Sequence, residues 1–140
     1  MLHLSFCPRY SFLSFFTAII LFDIMVFTYS CFQGLQKPGT LLQISTSVLE
    51  NTGANYPLLI YRNGEVWRWL TACFLHADFL HIFFNSISSI MIGASIEYAY
   101  GGTKTGLIYI TSGIIGNIFR YSLEISMFCL YFIQFKLFKE

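Results

Sequence analysis

The 140-residue chain draws 56% of its residues from the apolar set and 11% from the charged one, with 16 Phe and a mean hydropathy of +0.63. Soluble domains carry about 25% charged residues, so this chain has too few to cover a water-facing surface and reads as a membrane protein. Its net charge of +1, with no basic run, lacks the electrostatic footprint of nucleic-acid binding.

Residues 11–32 form the first apolar stretch, with a single charge, Asp23, and with Pro8 and Arg9 ahead of it. Its length predicts a spanning helix. A secretory signal would have an apolar region of about 7 to 15 residues and then a small-residue cleavage site, and residues 31–36 offer none. Residues 33–66 break the apolar pattern with Gly34, Pro38, Gly39, Gly53, Pro57, Asn63 and Gly64. Irregular backbone inside the hydrocarbon would leave N–H and C=O groups unpaired, so this stretch belongs outside it. Leu41, Leu42, Ile44, Val48, Leu49, Leu58, Leu59 and Ile60 supply apolar side chains for short helices at the interface. A structured loop over 33–78 is expected.

A second span is predicted over about Phe79 to Tyr100, ended by Gly101-Gly102. A third starts at about 105; it is apolar from Gly106 to Phe119 and then meets Arg120 and Glu124. A charge at a helix centre costs about 2.5 to 3.5 kcal/mol, which puts Arg120 near an end of the span or against protein. The tail, 120–140, closes the chain. The basic residues, Arg9 and Lys104 on one side against Lys37, Arg62 and Arg68 on the other, set no orientation. The expected architecture is one all-α domain over 1–140, a multi-pass bundle of about three transmembrane helices. Cys7, Cys31, Cys73 and Cys129 show no C-x-x-C spacing and form neither a disulfide framework nor a zinc site.

The second span carries the informative residues. His81, Asn85, Ser89, Gly93 and Glu97 follow at steps of four, each drifting only about 40° on a helix, and so make one slowly winding polar and small stripe. Ser89 and Gly93 read as helix-packing residues. His81 and Asn85, one turn apart, can aim a ring N–H and an amide N–H at one point, the geometry that holds a developing oxyanion. His76, His81 and Asp78 could also hold a metal, but the two His are about 140° apart on a helix and no H-E-x-x-H occurs. No metal or other cofactor is expected. Trp67-Arg68-Trp69 sits at the expected water boundary, where Arg68 is either an interfacial anchor or a specific structural tie. Glu97 is expected to bond neighbouring backbone or a polar partner in the bundle, with a headgroup-level carboxylate as the alternative. Ser112 and Gly116 form a small-xxx-small pair, a helix-packing signal. Ser112 has no neighbouring base and no G-x-S-x-G around it, so no nucleophile is assigned.

Taken together, Trp67-Arg68, His76-x4-His81-x3-Asn85 and Glu97-x3-Gly101 resemble the rhomboid family of intramembrane serine proteases. The matching stretch, about 53–119, runs from Gly53-Ala54-Asn55 to Gly113-Ile114-Ile115-Gly116-Asn117. The resemblance implies a helical bundle with the polar loop in the outer leaflet, held by the Trp-Arg motif. It implies that His81 and Asn85 line the oxyanion hole, that His76 shapes the same site, and that Glu97 and Gly101 belong to a structural motif. It also implies a Ser nucleophile and a His base on later helices, and single-span membrane proteins as substrates. Neither later motif occurs before Glu140, and the histidines are His3, His76 and His81. The chain therefore reads as truncated, divergent over 120–140 and proteolytically dead alone, since losing the nucleophile and base removes most of the rate. Two functions follow: the amino-terminal part of such a protease, or an inactive relative that binds transmembrane segments. On either, its partners are transmembrane helices and the lipid bilayer.

Overall fold

A computed structural model describes the backbone of residues 14–37 and 41–137, with side chains up to 127. His3, Cys7, Pro8, Arg9, Pro38 and Gly39 lie outside the described residues, as does the side chain of Cys129.

Ser14 opens the first helix because its hydroxyl oxygen accepts from the Thr17 N–H at 3.1 Å, a role short polar residues fill at helix starts. Helix α1 (Phe15–Gln33) follows, 19 residues in which an 18-residue window has mean hydropathy 1.9. After it the chain doubles back. Leu35 and Ile44 pair as an isolated antiparallel bridge, with Gln36 N–H donating to Gln43 O at 2.9 Å. Ile44 is 1% exposed and packs with Phe27 and Ile82, which fastens the start of the loop to both spanning rods.

Three short helices follow: α2 (Thr46–Thr52), α3 (Pro57–Asn63) and α4 (Arg68–Thr71), the last tightening into a 3₁₀ turn over Ala72–Phe74. Pro57 at the first turn of α3 exploits a position where its missing N–H costs nothing. Gly53 turns between α2 and α3 with φ 103°, and a Cβ there would stand 2.6 Å from the Trp67 ring, so only glycine fits. The expected structured loop is thus a set of short helices.

Asp78 caps the second rod by accepting from the His81 N–H at 2.8 Å. The rod comprises α5 (Phe79–Ser88), a widened π turn (Ser89–Gly93) and α6 (Ala94–Tyr100). The wider turn shifts the angular register between its halves, and Gly93 meets α1 so closely that a Cβ would lie 2.5 Å from the Phe16 ring. Gly101, at φ 79°, ends the rod and α7 (Gly102–Leu137) begins at once.

Among the described residues two helices are long and apolar enough to cross a membrane, Phe15–Gln33 and Phe79–Tyr100, where the sequence predicted about three. The third predicted span lies in α7, whose apolar run is diluted by Asn117 and Arg120. The helix does not stop at the charge. Arg120 stands about 27 Å from its start, close to the thickness of a hydrocarbon core, and its Nε donates to Glu124 Oε1 at 2.7 Å on an exposed face. The bundle is sparsely filled, and large apolar side chains such as Phe32, Ile92 and Leu107 are more than 60% exposed, a surface suited to lipid.

The Glu97 carboxylate accepts from the N–H groups of Phe15 at 2.7 Å and Phe16 at 3.4 Å. It places negative charge where a helix start presents unpaired donors. Its backbone partner is thus the start of α1, some eighty residues of chain away. Glu97→Ala should cost about 0.5 to 2 kcal/mol of stability, the range for loss of a helix cap. Melting in detergent unchanged to within a degree would contradict this.

Candidate functional site

The loop is pinned first. Arg68 is 5% exposed. Its Nε donates to Glu65 Oε2 at 2.7 Å, its NH1 donates to the carbonyls of Glu50 at 2.7 Å and Ala54 at 3.2 Å, and its guanidinium lies 4.7 Å from the Trp67 ring centre. Asn63, and after it Arg68, holds the Glu65 carboxyl below its usual range. Thr71 Oγ1 donates to Gly53 O at 2.7 Å. Arg68 thus ties the start of α4 to the end of α2 and the turn after it.

A second network joins this loop to α7. Asn55 Nδ2 donates to Asn117 O at 2.9 Å, and Asn117 Nδ2 donates to Trp69 O at 2.9 Å and to Cys73 Sγ at 3.4 Å. Gly113 lets α7 approach the 3₁₀ turn, since a Cβ there would lie 2.7 Å from Cys73 Sγ. The Ser112 and Gly116 pair, expected to seat a helix, does not do so: Gly116 has open space around it and both residues line a cavity.

That cavity, about 590 Å³, lies between the loop, α5 and α7. His76, His81 and Asn85 all line it, together with Tyr109, Cys73, Asn117 and Arg120. The stripe read from the sequence therefore divides. Its upper members, His81 and Asn85, stand exposed at the cavity, while Gly93 and Glu97 pack on α1.

The histidines have different environments. His76 is 4% exposed and its ring lies edge-on to that of His81 with centres 5.1 Å apart. Asn85 Nδ2 and His76 Nε2 are 3.1 Å apart. An amide nitrogen can only donate, so Nε2 accepts and the imidazole proton sits on Nδ1, in the neutral form. That bond fixes the Asn85 amide plane and leaves its second N–H for the cavity. Burial, and then the charge of His81, hold His76 below its ordinary value of 6.5; the Phe74 carbonyl opposes this without reaching hydrogen-bond geometry.

The sign of the resulting pH dependence is fixed. Below about pH 6.5 the unfolded chain binds a proton at His76 more readily than the folded one. Stability is therefore fully present above the unfolded value and falls as pH drops through the folded value. His76→Gln should flatten that slope in unfolding midpoints measured between about pH 5 and 7; equal slopes in both proteins would contradict the neutral assignment.

Ser112 Oγ donates to Tyr109 O at 3.0 Å, as a helical hydroxyl bonding its own turn. Burial raises the Cys73 thiol above its ordinary value, with the hydrogen bond from Asn117 opposing, so it is a thiol and not a thiolate. Among the described residues no three His, Cys, Asp or Glu side chains gather as metal ligands. What the site offers is donors: the Asn85 amide and the exposed His81 ring, set at one end of a cavity and braced by a buried neutral imidazole.

The Rhomboid domain family matches residues 63–131. The chain is also similar to Rhomboid-like protease 1 of Toxoplasma gondii, 37% identical over 79% of this chain and 36% of that protein. The chain belongs to the rhomboid family. It is 36% identical to Inactive RHOMBOID-like protein 8 of Arabidopsis thaliana, over 63% of this chain and 25% of the relative. With Rhomboid-related protein 3 of Homo sapiens it shares 28% identity over 74% of this chain and 24% of the relative. This rhomboid chain thus spans about a quarter to a third of the length of these relatives. No solved structure matches it. Family membership and the two apolar rods make it an integral membrane protein.

Sequence reasoning missed Tyr109 and Cys73 as cavity residues, because a Tyr and a Cys in apolar helices carry no pattern of their own. Asn55 and Asn117 stood only as members of matched motifs; nothing in their spacing revealed that they bond each other across 62 residues.

Proposed function

We propose that this chain supplies the oxyanion-binding half of a rhomboid-type intramembrane serine protease, acting on single transmembrane segments, with the Ser and His of the dyad outside these 140 residues. The observation that carries the reading is the cavity itself. Asn85 and His81 offer donors into it, while His76, buried and neutral, sets the plane of the Asn85 amide. Preorganised donors of this kind do the stabilising in acyl transfer, and they cost no reorganisation when charge develops.

Binding of transmembrane segments without cleavage is the second reading, favoured by the likeness to a relative named inactive and by an Oγ on Ser112 that bonds only its own helix. The test uses the chain as it stands, reconstituted in vesicles with a single-span reporter. It should retain the reporter without hydrolysing it and should not be labelled by a serine-directed fluorophosphonate. Labelling lost on Ser112→Ala would show a nucleophile within the chain and overturn the assignment of the dyad to sequence beyond it.

A further inference from the structure

Arg120 takes no part in the donor pair of Asn85 and His81, yet it lines the same cavity. Among the described residues that line it, Arg120 carries the one permanent charge, and none is Asp or Glu. Its side chain is 68% exposed, and its Nε donates to Glu124, which stands outside the lining. The forked NH1 and NH2 groups have no partner among the described residues. An exposed pair of this kind holds its members weakly, so the guanidinium is open to a second partner. Its height follows from its neighbours. Asn117, one turn before it, bonds Trp69 of the loop, which puts Arg120 at the loop end of the cavity. Asn85 stands on the same half of the bundle, about 9 Å into the second rod.

We propose that Arg120 is a specificity residue of the cavity, receiving an acidic side chain, Asp or Glu, from the loop-side end of a transmembrane segment lodged there. The proposal rests on the reading that the chain engages transmembrane segments, and it adds which of them. Charge decides the sign of the occupant: a carboxylate meets the open NH1 and NH2 edge in the two-pronged geometry a guanidinium offers, whereas a basic residue is repelled. The lining decides that the carboxylate belongs to a peptide and not to a lipid. Asn55, Asn85, Asn117, His81 and Ser112 all face the occupant, and acyl chains would leave their donors and acceptors against hydrocarbon. The N–H and C=O groups of a segment leaving its helix match them instead. Height adds a second selection, because an acidic residue at mid-span lies too deep to reach Arg120.

The experiment uses the 140-residue chain in phosphatidylcholine vesicles. The probes are fluorescent Leu/Ala peptides of about 20 residues, carrying Glu, Gln or Lys next to one end of the apolar run. The Glu peptide should be captured about fivefold more tightly than the Gln peptide, in keeping with one partly solvated charge-assisted contact, and the Lys peptide least tightly. That preference should vanish when the same residues are moved to the centre, a comparison read on the wild-type chain and so independent of the folding of any variant. Arg120→Gln should abolish it while leaving capture of the Gln peptide unchanged, and Arg120→Lys, which keeps the charge without the fork, should retain part of it. Gly116→Phe, which fills the cavity from a position with open space around it, should reduce capture of all three peptides. A Glu preference that survives Arg120→Gln would overturn the proposal. So would a labelled phosphatidic acid held by the wild-type chain and lost in Arg120→Gln, which would give the guanidinium to a lipid phosphate. Equal capture of the Glu and Gln peptides, with Gly116→Phe still blocking both, would overturn the role of Arg120 and leave the cavity as a site for transmembrane segments. No capture of any peptide would overturn both readings.

Discussion

Arg68→Ala is expected to lower stability by about 3 kcal/mol and to free the interfacial loop before the spanning helices melt. The carbonyls of Glu50 and Ala54 would each lose a charged donor, and bonds to charged groups are worth about 1.5 to 3 kcal/mol apiece. Half-buried Glu65, three residues before Arg68, is a smaller contributor. Arg68→Lys keeps the charge but loses the planar fork that bridges two carbonyls and a carboxylate, so it should recover only a small part. Limited proteolysis between residues 46 and 66, read beside melting in detergent, separates the two roles the sequence left open. An Arg68→Ala protein that melts and resists protease like the wild type would reduce Arg68 to an interfacial anchor.

In a full-length product that carries the dyad, Asn85→Ala should slow cleavage of a transmembrane reporter by about 10²- to 10³-fold, the effect of removing one oxyanion donor. Its cost to folding should stay near 1 kcal/mol, the scale of one interhelical hydrogen bond in a bilayer. The structure sharpens this expectation. Asn85 is exposed at the cavity, and its recorded bond is to His76. His76→Ala should therefore act on rate through a misplaced amide and, because His76 is buried, should also cost more stability than Asn85→Ala. A large drop in melting temperature for Asn85→Ala with unchanged turnover per folded molecule would make it a packing residue.

The helices were legible because their signals are local. An unbroken apolar run marks α1, and Gly101-Gly102 punctuates the second rod. The pair His81 and Asn85 was legible for the same reason, since one helical turn fixes their common face. Arg120 was harder: hydropathy measures a mean cost of charge, and it registers neither the Glu124 carboxylate one turn on nor the depth at which the pair emerges. The split of the polar stripe was illegible because a π turn at Ser89–Gly93 alters angular register, in a stretch where Gly93 lies close against the Phe16 ring. The bracing of Asn85 by His76 was illegible too, since the chain between them turns a corner at Asp78 before the helix begins.

The capping of α1 by Glu97 bears on the order of assembly. During synthesis the first helix is complete long before the residue that closes its amino end has been made, for 82 residues separate Glu97 from Phe15. Its apolar length suffices for insertion, but its first N–H groups must rely on water or headgroups until the second rod arrives. Docking of α6 is thus the step that locks α1 at a fixed height and rotation, and with it the depth of every side chain that α1 carries. A contact of such sequence separation is a slow one to form, so α1, made before α6, is seated only after it.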